Sequence, residues 1–298
     1  MPDPGAGGPM QPVVLSNATW TLSLLPAWGG RIAALRANGL DVLVPIDSEG
    51  FDPLNWPRAG AYPLMPYSNR LRNAQLSFNG RVHGLPAHPA AAPHTLHGVS
   101  HTLAWDVVSA TADQLLIACD YEGEHWPWAF RAEQQFTLSG NRLRITLTLT
   151  NNGEQPMPGG IGLHPYFQRH PGLRAHYAAG RDWAIDCDYL VTGEYLDQPH
   201  NWVFEADDVR ALAHYQSRWD GHLQLAYDSG RLDLHASAPL SHFVAFAPAN
   251  ATYLCLEPVS HLADAFNQPR STWHDVGTHE LAPGQRLSAT LDFTWHDT

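Results

Sequence analysis

The 298 residues carry 29 acidic against 17 basic side chains, a formal net charge of -12, with 44% hydrophobic and 15% charged residues. Such a field repels polyanions and argues against nucleic acid or an anionic membrane as partner, and no apolar run approaches the roughly 20 residues that span a bilayer. Every one of the 17 basic residues is arginine, and the lack of lysine excludes Schiff-base chemistry, lysine-anchored pyridoxal phosphate and a Walker-type phosphate loop.

From the N-terminus, Met1 to Pro12 is rich in Pro and Gly and has neither a basic cluster nor an apolar core, which predicts a flexible tail over residues 1–12 and an intracellular, cytoplasmic protein. Strands are expected at Trp20 to Leu25 and Arg31 to Arg36, the latter turning at Asn38-Gly39 into Asp41 to Pro45. After Leu76-Ser77-Phe78 comes a second Asn-Gly turn, Asn79-Gly80; both suit tight antiparallel connections that need positive φ. Gly84 to Thr95 reads as a loop delivering the chain to His97.

Trp105 to Ser109, Gln114 to Asp120 and Phe130 to Leu138 are further strands, and Gly140-Asn141 precedes the strictly alternating Leu143 to Thr150. Such a period of two puts one face on a core. Arg169 to Asp220 is the least legible stretch and is expected to hold loops over one end of the molecule. Leu223 to Asp228 and Arg231 to Ser237 join through Ser229-Gly230, Phe243 to Phe246 follows, and Leu287 to Trp295 alternates again. Many short strands without amphipathic helices or a break in composition predict one large antiparallel β-sandwich over residues 13–298. Cys119, Cys187 and Cys255 are widely spaced and read as reduced packing residues.

Four islands depart from this alternation: Pro63 to Arg70, Thr95 to Gly98, Gly159 to Phe167 around His164, and Glu257 to Pro269. Each alone has a structural explanation: a surface cation for Arg70, a backbone-bonded loop residue for His97, a satisfied core histidine for His164 and an edge-strand charge for Glu257. Jointly, Asn69, Arg70 and His97 offer fixed donors and acceptors for sugar hydroxyls, while His164 and Glu257 are an acid and a base for moving two protons. A carboxylate closing the apolar run Thr252 to Leu256 is costly to desolvate, so its pKa is expected to rise.

In order, Asn69-Arg70, His97-Gly98, Gly162-Leu163-His164-Pro165-Tyr166-Phe167 and Glu257-Pro258 followed by Asp264-Ala265-Phe266-Asn267 resemble the aldose 1-epimerase (galactose mutarotase-like) family. The resemblance runs from about Trp20 to Trp295 and implies the large mutarotase β-sandwich, Glu257 as base, His164 as acid, and Asn69, Arg70 and His97 as residues holding a free aldohexose. It implies no metal and no organic cofactor, a monosaccharide as the one small-molecule partner, and a monomer or homodimer. Many members carry a sugar-binding Asp shortly before a Trp-Asp-Gly-like stretch; Leu212 to Gly221 has no acid there, and His214 and Asp220 are the polar residues nearest to it.

Other signals carry alternatives. His94, His97 and His101 lack the spaced His-x-His and following Glu of a cupin-type metal site. Trp126, Trp128 and Tyr166 suit either stacking on a sugar face or a place in the core. Arg58, Arg70, Arg72 and Arg81 suit either a sugar-phosphate pocket or scattered surface positions. A hexose 6-phosphate substrate and a non-catalytic sugar sensor on the same fold are therefore the alternatives to a mutarotase of free sugars.

Overall fold

The computed structural model describes residues 12–47 and 50–298; of the expected N-terminal tail, residues 1–11 lie outside the described residues. Seventeen strands are linked by hydrogen bonds into one extended antiparallel network, with two small two-stranded sheets beside it. This is the expected large antiparallel β-sandwich. Helix among the described residues is confined to short 3-10 turns and the single turn Trp273–Val276.

Alternation explains the core directly. Strand Arg142–Asn151 lies against Arg286–Asp297 with Leu143 opposite Phe293, Ile145 opposite Leu291, Leu147 opposite Ala289 and Leu149 opposite Leu287. These eight side chains are all buried, and each fully buried Leu, Ile or Phe contributes roughly 1.5–3 kcal/mol from its apolar surface. The intervening residues face outward, where Arg144 makes a two-pronged contact with Asp292 across the same strand pair, at 2.7 and 2.8 Å. The Asn-Gly turns behave as expected, with φ of 47° and 84° at Asn38 and Gly39 and 49° and 76° at Asn79 and Gly80.

Residues 169–220 differ from expectation. Instead of loops they form strands Arg174–Ile185 and Val191–Glu205 and the first half of Leu212–Tyr227. Among the described residues Val191–Glu205 pairs only with Arg174–Ile185, and it is exposed over most of its length. An edge strand with little buried surface has no reason to alternate, so the period-two signal is missing there.

Candidate active site

One transverse row of side chains crosses the sheets. Tyr62, in strand Ala61–Pro63, lies opposite His164 in Leu163–Gln168. On the other side, Leu163–Gln168 meets Tyr253–Val259 with Tyr166 opposite Cys255 and Gly162 opposite Val259. His164 and Glu257 each stand two residues from both pairs, so they face one another across these strands. Glu257 is in turn opposite Val244, Val244 opposite Tyr215, and Tyr215 opposite Trp183. At the other end, the pairing of Ile32 with Ala61 sets Arg31 beside Tyr62. Directly opposed residues of antiparallel strands project to the same face, so Arg31, Tyr62, His164, Glu257, Val244 and Tyr215 form one line.

In this line His164 Nε2 stands 3.4 Å from Glu257 Oε1, with both side chains buried. Desolvation pushes the Glu257 carboxyl up to about 8, as expected for a carboxyl closing an apolar strand. His164 is pulled down to about 3 by burial first and then by the positive charges of Arg31 and Arg58. Its ring stacks on Tyr62 at 4.6 Å and on Tyr166 at 4.8 Å, which fixes its plane. Between these two pKa values the pair holds one proton, and burial keeps it on the carboxyl.

His97 meets His164 edge to face at 5.1 Å. Its Nδ1 accepts the Asn69 backbone N–H at 3.1 Å, while the His97 N–H donates to Asn69 O at 2.8 Å. Burial first, and then the histidines His164 and His101 and the Arg70 charge, hold its pKa well below the usual histidine range; the ring is neutral and, with Nδ1 accepting, carries its proton on Nε2. Asn69 and His97 both adopt left-handed backbone, at φ 63° and 62°, a conformation costing about 1 kcal/mol or more outside glycine. The reciprocal hydrogen bonds sustain it, and Asn69 turns its Oδ1 onto the Arg70 backbone N–H at 3.0 Å. The Arg70 guanidinium lies over the Tyr189 ring at 5.0 Å.

The sequence islands thus converge, but some of their residues serve to hold the chain. Asp264 accepts the Arg72 N–H at 2.9 Å and the Asn267 side-chain amide at 2.6 Å, and its own N–H donates to Arg70 O. Asn267 accepts from Ser77 N and donates to Gln75 O; the Asp264 to Asn267 motif pins the segment carrying Asn69 and Arg70. In the Gly-rich stretch, a Cβ on Gly160 would lie 2.3 Å from the His261 ring, and His261 Nε2 accepts the Ser68 N–H at 3.1 Å. These glycines let the His164 segment approach the Glu257 segment closely.

Several expectations change. His214 bonds Asp182 at 3.3 Å and packs on Trp202, and Asp220 caps the His222 N–H, so neither joins the row. Trp126 and Trp128 are core residues, near Tyr67 and Phe78 respectively, whereas Tyr166 borders His164. Arg72 is paired with Asp186 at 3.1 Å. Cys187 is exposed, not packed. Among the described residues one donor group has metal-like spacing: single atoms of His164, Cys255 and Glu257 lie within 4.8 Å of one another, although the nearby Arg31 and Arg58 charges oppose a dication there.

Sequence reading missed Arg31 and Tyr215, and named Arg58 only as one of four arginines suiting either a sugar-phosphate pocket or the surface. Arg31 is completely buried, its guanidinium lies 4.4 Å from the Tyr62 ring, and its three nitrogens have no hydrogen-bond partner among the described residues. Arg58 contributes positive charge at both His164 and Tyr166. The one available signal was Arg31 as the sole charge between Gly29-Gly30 and an apolar run; Tyr215 gave none.

Comparison with known proteins agrees with this architecture. The uncharacterized protein YphB of Escherichia coli strain K12 is 25% identical over 255 residues, covering 78% of this chain and 82% of its own, and the uncharacterized YihR of the same strain is 21% identical over 88% and 70%. Among solved structures, one from Escherichia coli K12, provisionally described as an aldose 1-epimerase, superposes with a TM-score of 0.85 at 23% identity, covering 97% of this chain and 99% of its own. A galactose mutarotase-like protein from Clostridium acetobutylicum superposes at 0.84 with 17% identity over 96% and 95%; at these identities the likeness is one of fold. The aldose 1-epimerase family model matches residues 12–294, and the chain therefore belongs to the aldose 1-epimerase family.

Proposed function

We propose that the protein is a mutarotase that interconverts the α and β anomers of an aldose by acid–base opening and closing of the ring. The observation that carries this reading is the buried His164–Glu257 pair, 3.4 Å apart and sharing one proton. Opening requires the anomeric hydroxyl to lose a proton and the ring oxygen to gain one as the bond between it and the anomeric carbon breaks. A pair with one proton and one vacancy supplies both needs without net exchange with solvent.

Burial favours the uncharged tautomer, with the proton on Glu257. A bound sugar changes the balance: an anomeric hydroxyl donating to Glu257 favours its carboxylate, and a ring oxygen accepting from His164 favours its imidazolium. Glu257 then takes the anomeric proton while His164 protonates the ring oxygen, giving the open-chain aldehyde. Rotation about the bond to the anomeric carbon and reversal of both transfers close the other anomer. His97 Nε2–H, Asn69 and Arg70 hold the neighbouring oxygens, which fixes the reacting geometry.

A second reading is favoured by one observation. Among the described residues no carboxylate lies within ion-pair distance of Arg31, Arg58 or Arg70, and Arg58 and Arg70 both act on His88. Spare positive charge beside the His164–Glu257 pair in a protein of net charge -12 suits an aldose bearing an anionic group such as a phosphate, seated between Arg58 and Arg70. Anomer exchange measured by NMR over a panel of free and phosphorylated aldoses tests both readings. Glu257→Gln and His164→Asn are each expected to lower kcat by roughly 10²–10⁴-fold in a folded protein. Solvent rates with every sugar exclude the enzyme, and binding without exchange points to a sensor.

A further inference from the structure

Tyr215 is the member of the transverse row that the acid–base scheme leaves without a task. It stands two strands from Glu257, with Val244 between, a separation of about 9–10 Å between the strands. Its ring projects to the same face as Glu257 and is as buried, 2% exposed in each case. Its hydroxyl lies near the Asn69 side chain and within electrostatic reach of Arg70, Glu257 and Tyr189. That places it among the residues assigned to sugar hydroxyls, on the side away from His164, with the small Val244 side chain as floor.

The opposite wall is held firmly. Tyr189, whose ring covers Arg70, sits in a turn tied down by Asp186 to Arg72 at 3.1 Å. Within the turn, Asp186 Oδ1 accepts the N–H groups of Asp188 and Leu190. Arg70, seated on the Tyr189 ring, lies within electrostatic reach of Tyr215, and the phenol can both donate and accept a hydrogen bond with a ligand.

We propose that Tyr215 is a sugar-binding residue that, with Asn69 and Arg70, holds a ring hydroxyl at the end of the row away from His164 and thereby sets which epimer of the aldose is accepted. The proposal rests on the mutarotase reading. A buried neutral phenol beside Asn69 and Arg70 offers a directional hydrogen bond, and a site built for one hydroxyl rejects an epimer that points it elsewhere, because the phenol is then left unpaired.

Tyr215→Phe removes only the hydroxyl. For the preferred sugar it is expected to raise KM about tenfold while kcat stays within about twofold, and to flatten the ranking across a panel of epimeric aldoses. A role in packing alone would shift all sugars equally. Deoxy analogues tested on the unmodified protein give an independent measurement: the one lacking the contacted hydroxyl binds the wild type as weakly as the parent sugar binds Tyr215→Phe. Titration by NMR in the Glu257→Gln background reads the same loss as affinity. Exchange by both proteins with the same KM and the same ranking of sugars, or no deoxy analogue with the matching loss, overturns the Tyr215 assignment alone. Neither exchange nor binding by the unmodified protein overturns the function and the assignment with it.

Discussion

At the scale of single residues, burial matters more than identity. A glutamate and a histidine are ordinary groups, yet placed side by side and out of water their pKa values move past each other, Glu257 to about 8 and His164 to about 3. The proposed chemistry needs one proton on the pair, so the expected rate is flat across that window and falls as pH rises through about 8, where Glu257 loses its proton and no acid remains. A pH profile of kcat/KM for anomer exchange checks this, and an alkaline limb left unchanged by Glu257→Gln would contradict it. Arg31 contributes through charge: fully buried, it stays protonated at neutral pH although its pKa is lowered to about 10, and it disfavours a second positive charge on His164.

At the scale of elements, the site is a product of register and of a few tight backbone approaches. The reciprocal bonds between Asn69 and His97 work only if the next residue turns under strand Ala61–Pro63 and its continuation, where Gly98 pairs with Met65. Gly98 has φ 70°, and a Cβ there would lie 2.5 Å from Met65 O. Gly98→Ala is therefore expected to cost about 1–3 kcal/mol and to displace His97, raising KM. Denaturation midpoints together with KM measure both effects, and unchanged values in the variant would refute the strain argument. The alternating strands Arg142–Asn151 and Arg286–Asp297 were legible from sequence because each buries one face on the core. Val191–Glu205 was not, because as an edge it buries almost nothing, and Tyr215 was not, because in its half of Leu212–Tyr227 the consecutive Tyr215, Gln216 and Ser217 are all buried and no alternation marks its face.

For the whole molecule, the buried His164–Glu257 pair also contributes to stability. The folded pKa of Glu257 is raised from 4.5, so its contribution is complete below about 4.5 and is lost as pH rises through about 8. That of His164 is lowered from 6.5, so its contribution is complete above about 6.5 and is lost as pH falls toward 3. Glu257→Gln removes the alkaline loss: its melting temperature is expected to fall less than that of the wild type between pH 5 and 9, as scanning calorimetry would show, whereas parallel curves would exclude a buried carboxyl of raised pKa. By itself the sequence determined the sandwich, through period-two alternation and Asn-Gly turns, and the order of its polar islands, since these are local patterns that each segment carries alone. Only the tertiary structure decided that Arg31, Tyr62, His164, Glu257, Val244 and Tyr215 stand in one row. That alignment depends on the register between strands far apart in the chain, where a slip of one residue turns a side chain to the opposite face.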